Sequence, residues 1–153
     1  MLDFKKIEQE VEEFWKRNKV YEKLMGRKGK RFFLLDGPPY ANAIPHVGHI
    51  KNTVFKDLVI RRAFMQGNQV LFQPGFDTHG LPIENMVEKK LGLGGKKEIE
   101  KFGIEKFMKE CKDNAALNKD IWMKVYKDLG SVYPLKEPYL TYEDYYIESA
   151  WWA

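Results

Sequence analysis

The chain has 153 residues, of which 44% are hydrophobic, 31% charged and 14% aromatic, with a formal net charge of +4; this is enough for one globular domain with a core and argues against disorder. No stretch approaches the roughly 20 consecutive apolar residues of a membrane span. The Met-Leu-Asp-Phe-Lys-Lys start lacks a signal peptide's apolar run, and the single Cys111 excludes an internal disulfide or a cysteine-based zinc site. A soluble, cytoplasmic protein without a membrane partner is the expectation.

The first predicted element is an amphipathic helix over residues 4–24, with Phe4, Ile7, Val11, Phe14 and Tyr21 at helical steps and Asp3 as its N-cap. Gly26 and Gly29 end it. Phe32-Phe33-Leu34-Leu35 is too short for a helix and does not alternate, as expected of a parallel strand buried on both faces. Asp36 to Pro45 is a loop rich in Gly and Pro. A second helix is predicted over 46–66, with Val47, Ile50, Val54, Leu58 and Met65 on its apolar face and Gly67-Asn68 at its end. Val70-Leu71-Phe72 reads as a second buried strand, followed by the turn residues Pro74-Gly75-Phe76-Asp77. Residues 31–73 thus form a βαβ unit with a right-handed crossover. Helices are expected at 83–91 and 104–129, the latter with Phe107, Cys111, Ala115, Trp122, Val125 and Leu129 in phase, joined by a flexible connection at 92–97. No internal repeat or low-complexity tract is present.

Charge is distributed unevenly. From Glu137 onward there are four acidic and no basic residues, so residues 1–136 hold 26 basic groups against 18 acidic ones. The excess is compatible with nucleotide or RNA partners, but Lys and Glu mixed at helical spacing read first as a solvated helix face. Lys51, Lys56, Arg61 and Arg62 are assigned to such a face.

In a parallel α/β sheet, ligands bind beyond the carboxyl ends of the strands. Those ends are the loops at 36–46 and 74–80, where all three histidines fall: His46, His49 and His79. His46 and His49, at i and i+3 in a first helical turn, project to one side. The helix N-terminus adds unpaired N–H groups and a positive dipole end suited to phosphate. Gly48 between them removes a side chain where a flat ring could pack, and Pro45 sets the entry to the turn. The bland alternative is two polar residues opening a helix. A metal site of His46, His49, Asp77 and His79 is a rival, disfavoured by the dipole end. Asp77 suits either a substrate ammonium or the cap of the next helix. Phe72 reads as core, and Phe76 and Tyr40 are open to the same reading.

Phe33-Leu34-Leu35-Asp36-Gly37-Pro38-Pro39-Tyr40-Ala41-Asn42 and Pro45-His46-Val47-Gly48-His49 together resemble the first signature of class I aminoacyl-tRNA synthetases. Lys56-Asp57, Arg61 and Pro74-Gly75-Phe76-Asp77-Thr78-His79-Gly80-Leu81-Pro82-Ile83-Glu84 narrow the resemblance to the isoleucine enzymes. Gly103-Ile104-Glu105-Lys106-Phe107 and Tyr146-Ile147-Glu148-Ser149-Ala150-Trp151-Trp152 extend it, particularly toward archaeal-type members. The resemblance implies an α/β fold: the first half of a Rossmann-like nucleotide-binding domain over 31–153, preceded by a helical extension over 1–30. It implies ATP-dependent activation of isoleucine to the adenylate and transfer to tRNA(Ile), with Mg²⁺ accompanying the nucleotide.

Carried over by position, His46 and His49 would be catalytic and contact the ATP phosphates. Gly48 and Asn42 would also bind ATP, while Gly37, Pro38 and Asp77 would bind the amino acid; no resident metal is implied. Ala43, where Gly is usual, Phe76, where Trp or another aromatic is common, and Gly130–Leu135 depart from the pattern. A Lys-Met-Ser-Lys-Ser-type second signature is absent from the 153 residues. The expectation is therefore a piece of a longer synthetase, or else a truncated paralogue that binds ATP or an adenylate without completing aminoacylation. Either would leave surface for self-association or for pairing with the missing half.

Overall fold

A computed structural model describes residues 2–132 and 137–153. Asp3 caps the first helix, α1 (Phe4–Arg17), by accepting a hydrogen bond from the Lys6 N–H at 3.2 Å. The helix predicted to run to residue 24 is broken: Lys19 takes a left-handed conformation, and a separate helix, α2 (Val20–Met25), follows it. Asn18 stops α1 by donating its side-chain amide to the Phe14 carbonyl at 2.8 Å. Apolar periodicity continues across this break and so conceals it.

Strand β1 (Arg31–Leu35) runs parallel to β2 (Gln69–Gln73), with Phe32 opposite Val70 and Leu34 opposite Phe72. Helix α3 (Val47–Met65) connects them, giving the expected βαβ order. The expectation that β1 is buried on both faces is corrected: Phe32 and Leu34 pack on the core, while Phe33 and Leu35 are 65% and 64% exposed. Nothing among the described residues covers that face of the sheet.

Helix α3 also turns differently from the expectation. Thr53, Ile60, Ala63 and Phe64 face inward, whereas Val47, Val54, Leu58 and Met65 are exposed. Apolar residues occur around the whole helix, so periodicity does not single out the buried face. The assignment of Lys56 and Arg61 to a solvated face is likewise overturned. Lys56 is ion-paired with the buried Asp36 at the end of β1. Arg61 binds Asp57 and the Gly130 carbonyl and lies over the Trp15 ring. Lys51 and Arg62 are exposed, as expected.

The segment expected to be only a turn contains β3 (Gly75–Phe76), which pairs in parallel with β4 (Tyr139–Leu140). Gly75 is required there, because a Cβ would collide with the Tyr139 ring. Helices α4 (Leu81–Leu91) and α6 (Ile104–Asp128) match their predicted spans closely, but α5 (Lys96–Phe102) begins within the stretch expected to be a flexible connection. The last helix, α7, spans Asp144–Trp152. In α6, Phe107, Ala115 and Trp122 are buried as expected, Tyr126 joins them, and Leu129 is exposed.

One core cluster joins α3, β2, β3 and α6 through Ile60, Phe64, Val70, Phe72, Phe76 and Trp122. Tyr40, considered as core, is instead 44% exposed. No helix among the described residues is long and apolar enough to cross a membrane. Part of the divergent Gly130–Leu135 stretch lies outside the described residues.

Candidate functional site

The loop after β1 and the segment after β3 are joined by backbone. Asp77 N–H donates to the Pro39 carbonyl at 2.8 Å, and Ala41 N–H donates to the Asp77 carbonyl at 2.9 Å, a parallel bridge between Tyr40 and Asp77. This brings the two strand ends together. From below, Trp122 of α6 donates its indole N–H to the Ala43 carbonyl at 2.7 Å. Its ring lies 4.7 Å from that of His49 and meets Phe76 edge-on at 5.9 Å.

His46 and His49 open α3 as a reciprocal capping box. The Gly48 N–H donates to His46 Nδ1 at 3.1 Å, and the His46 N–H donates to His49 Nδ1 at 3.3 Å. Glu or Gln usually fills the second role. The two rings stack at 3.7 Å with 23° between their planes. Gly48 permits this, since a Cβ there would lie 2.9 Å from His46 Cε1.

A neutral imidazole that accepts at Nδ1 carries its proton on Nε2. Both rings therefore present an Nε2–H donor, and neither Nε2 keeps a lone pair for a metal. Burial, and secondarily the neighbouring His46, hold the His49 pKa below its ordinary value and favour this neutral form. Beside these donors stands the helix N-terminus, whose dipole end favours negative charge. The arrangement can hold phosphate oxygens and stabilise charge developing on them.

Asp77 lies across the bridge with its side chain 25% exposed. Its carboxylate accepts a hydrogen bond from the Thr141 hydroxyl at 3.3 Å. The nearby negative charge raises the Tyr40 pKa. Asp77 does not cap the following helix: the N-cap of α4 is Gly80, with no side-chain bond. His79 Nδ1 lies 3.8 Å from the carboxylate and 2.7 Å from the Thr141 hydroxyl. A cleft of about 480 Å³ opens beside this group, lined by Thr78, His79, Thr141, Tyr142, Ile83 and Phe107, among others.

The remaining sequence-derived positions lie in the connecting loop. Gly37 is exposed and faces open space, and Pro38 and Asn42 are half-buried. Ala43 has no positive φ, so the alanine is unstrained there. Among the described residues, no group of three or more His, Cys, Asp or Glu side chains comes together to hold a metal ion. Trp122, Thr141 and the Asp36–Lys56 pair were not legible as site-supporting residues. Each acts on a partner 20 to 79 residues away, and no local spacing signals such pairs.

Residues 10–153 match the family model described as tRNA synthetases class I (I, L, M and V). The chain is 47% identical over 152 residues to the isoleucine–tRNA ligase of Clostridium tetani, covering 98% of this chain and 15% of that protein. It is also 47% identical over 151 residues to the isoleucine–tRNA ligase of Pyrococcus horikoshii, covering 97% and 14% respectively. The similarity thus reaches bacterial and archaeal enzymes alike, rather than archaeal ones in particular. Among solved structures, it resembles the Agrobacterium radiobacter K84 agnB2 LeuRS in a ternary complex with tRNA and LeuAMS. That match has a TM-score of 0.63 and 25% identity, covering 88% of this chain and 15% of the other. The chain spans about 15% of the length of the relatives it matches.

Proposed function

The chain belongs to the class I tRNA synthetases (I, L, M and V), and on that premise we propose that it supplies the first half of the site in which an isoleucine–tRNA ligase makes isoleucyl-adenylate. Residues 31–153 are the first half of the catalytic domain, and residues 1–30 are a helical extension before it. His46 and His49 donate their Nε2–H groups to ATP phosphates as isoleucine attacks the α-phosphate. Gly48 and Asn42 complete the nucleotide side, while Gly37, Pro38 and Asp77 form the amino-acid side. The observation that supports this reading best is the paired capping box, which leaves two outward donors at a helix N-terminus.

Adenylate formation needs little covalent chemistry from the protein; positioning and charge stabilisation carry it. Mg²⁺ arriving with ATP would neutralise phosphate charge. Transfer to tRNA(Ile) belongs to the longer enzyme.

Isoleucine-dependent exchange of pyrophosphate into ATP tests the proposal. In a polypeptide containing this segment and the second signature, His49→Ala is expected to lower exchange by roughly 10²-fold, the effect of losing one preorganised donor. Unchanged exchange rejects the assignment. A second reading is a half-domain that binds ATP or the adenylate without turnover. ATP binding without exchange by the 153-residue chain supports that reading.

A further inference from the structure

We propose that Thr141 is a positioning residue for Asp77, its hydroxyl aiming the carboxylate at the α-ammonium of a bound amino acid. This inference rests on the reading of Asp77 as the ammonium-binding group.

Thr141 is 3% exposed and directly follows β4. Its N–H donates to the Phe76 carbonyl at 3.2 Å, so strand pairing fixes its backbone beside Asp77. Its hydroxyl oxygen meets Thr78 N–H at 2.9 Å, His79 Nδ1 at 2.7 Å, Asp77 Oδ1 at 3.3 Å and Thr78 Oγ1 at 3.4 Å.

Proton counting assigns the roles. A hydroxyl has one proton and two lone pairs. The Thr78 N–H can only donate, so it takes one lone pair. An ionised carboxylate can only accept, so the Thr141 proton goes to Asp77. The second lone pair then accepts from His79, which must carry its proton on Nδ1. The reverse assignment, with His79 Nδ1 accepting, would set lone pairs of Thr141 and Asp77 against each other. Thr78 Oγ1 accepts separately from the Tyr142 N–H at 3.1 Å.

The backbone of Asp77 is already held by Pro39 and Ala41. Its remaining freedom is side-chain rotation, which the Thr141 hydroxyl restricts. A carboxylate held in this way meets an ammonium without first losing rotamer entropy.

Calorimetric titration of a polypeptide containing this segment and the second signature with isoleucine, and separately with ATP, tests the proposal in wild type, Asp77→Asn, Thr141→Val and Thr141→Ser. Thr141→Val is expected to weaken isoleucine binding roughly tenfold, the loss of one charge-assisted hydrogen bond, and to leave ATP binding unchanged. Thr141→Ser keeps the hydroxyl and should restore binding. Wild-type isoleucine affinity in Thr141→Val, or equal loss of both ligands in the Val and Ser variants, overturns the proposal. Isoleucine binding that is absent from wild type or unaffected by Asp77→Asn identifies the reading of Asp77 itself as the fault and removes the proposal with it.

Should Thr141→Val fail to fold, the wild-type protein still decides through nitrogen-15 NMR of His79. The Nδ1–H tautomer is expected. The Nε2–H tautomer would send the Thr141 proton to His79 and overturn the assignment.

Discussion

The Trp122 indole N–H and the Ala43 carbonyl form a 2.7 Å hydrogen bond between residues 79 positions apart. It joins the long helix α6 to the loop that leads into the histidine pair, and the same ring packs against His49. Trp122→Phe keeps most of the apolar contact and removes the donor, leaving the Ala43 carbonyl without this partner. We expect a loss of about 1 kcal/mol in urea-induced unfolding. Trp122→Ala empties the centre of the core and should cost about 3–5 kcal/mol. Equal stability of the Phe variant and wild type would show that the bond contributes nothing.

The order strand, loop, helix, strand over 31–73 was legible because short apolar runs, breakers and helical spacing are local signals. The candidate site was legible for the same reason: His46, Gly48 and His49 lie within four residues, and Asp77 follows closely on the second strand. Three features were not. The inner face of α3 was misassigned because Val54, Leu58 and Met65 are as apolar as Ile60 and Phe64 but point outward. The break at Lys19 depends on one left-handed residue that periodicity does not register. The parallel pairing of β3 with β4 involves two residues on each side, far apart in sequence.

The capping box makes the start of α3 sensitive to acid. The His49 ring accepts the His46 N–H at Nδ1, and protonation removes that lone pair. The His49 pKa is lowered from 6.5 by burial first and by His46 second. A folded-state value below the unfolded one means that the unfolded chain binds more protons in this window. Stability is therefore complete above the ordinary histidine value and is lost as pH falls through the folded one. His49→Gln keeps a capping-box residue that does not titrate. Urea midpoints measured from pH 7.5 to pH 5 should fall less steeply for this variant than for wild type; parallel curves would refute the assignment.

Asp36 is buried at the end of β1, and Lys56, one-third exposed on α3, is its ion-pair partner. The pair ties the strand end that opens the site loop to the helix carrying His46 and His49. Lys56→Met removes the cation and leaves a buried carboxylate, which should cost about 2 kcal/mol after allowance for the exposure of Lys56. Adding Asp36→Asn should recover part of that loss, giving a non-additive double-mutant cycle by chemical denaturation. Strict additivity would mean that the two side chains are not energetically coupled.

Burial raises the Cys111 thiol to about 11, and Glu84, Glu110 and Glu88 add to the effect. Relative to a thiol at 9, the thiolate fraction at neutral pH falls about a hundredfold. Alkylation by iodoacetamide at pH 7.5 should accordingly be about a hundredfold slower in the folded protein than in urea. Similar rates would indicate an open, unperturbed thiol, and a rate that climbs only above about pH 10 would support burial as the cause.

Strand β1 pairs with β2 along one edge, while Phe33 and Leu35 present their side chains to solvent on the uncovered face of that sheet. Val54, Leu58 and Met65 of α3 add further exposed apolar area. An unpaired strand edge flanked by apolar side chains is a template for another chain. The isolated 153-residue chain is therefore expected to self-associate with increasing concentration. Size-exclusion chromatography at two concentrations a hundredfold apart should show a shift to larger species at the higher one. Phe33→Lys places a charge on the outer face without touching the Phe32–Leu34 core side, and should move the distribution toward monomer. A monomer at both concentrations in wild type, or an unaltered profile in Phe33→Lys, would rule out this strand as the site of association.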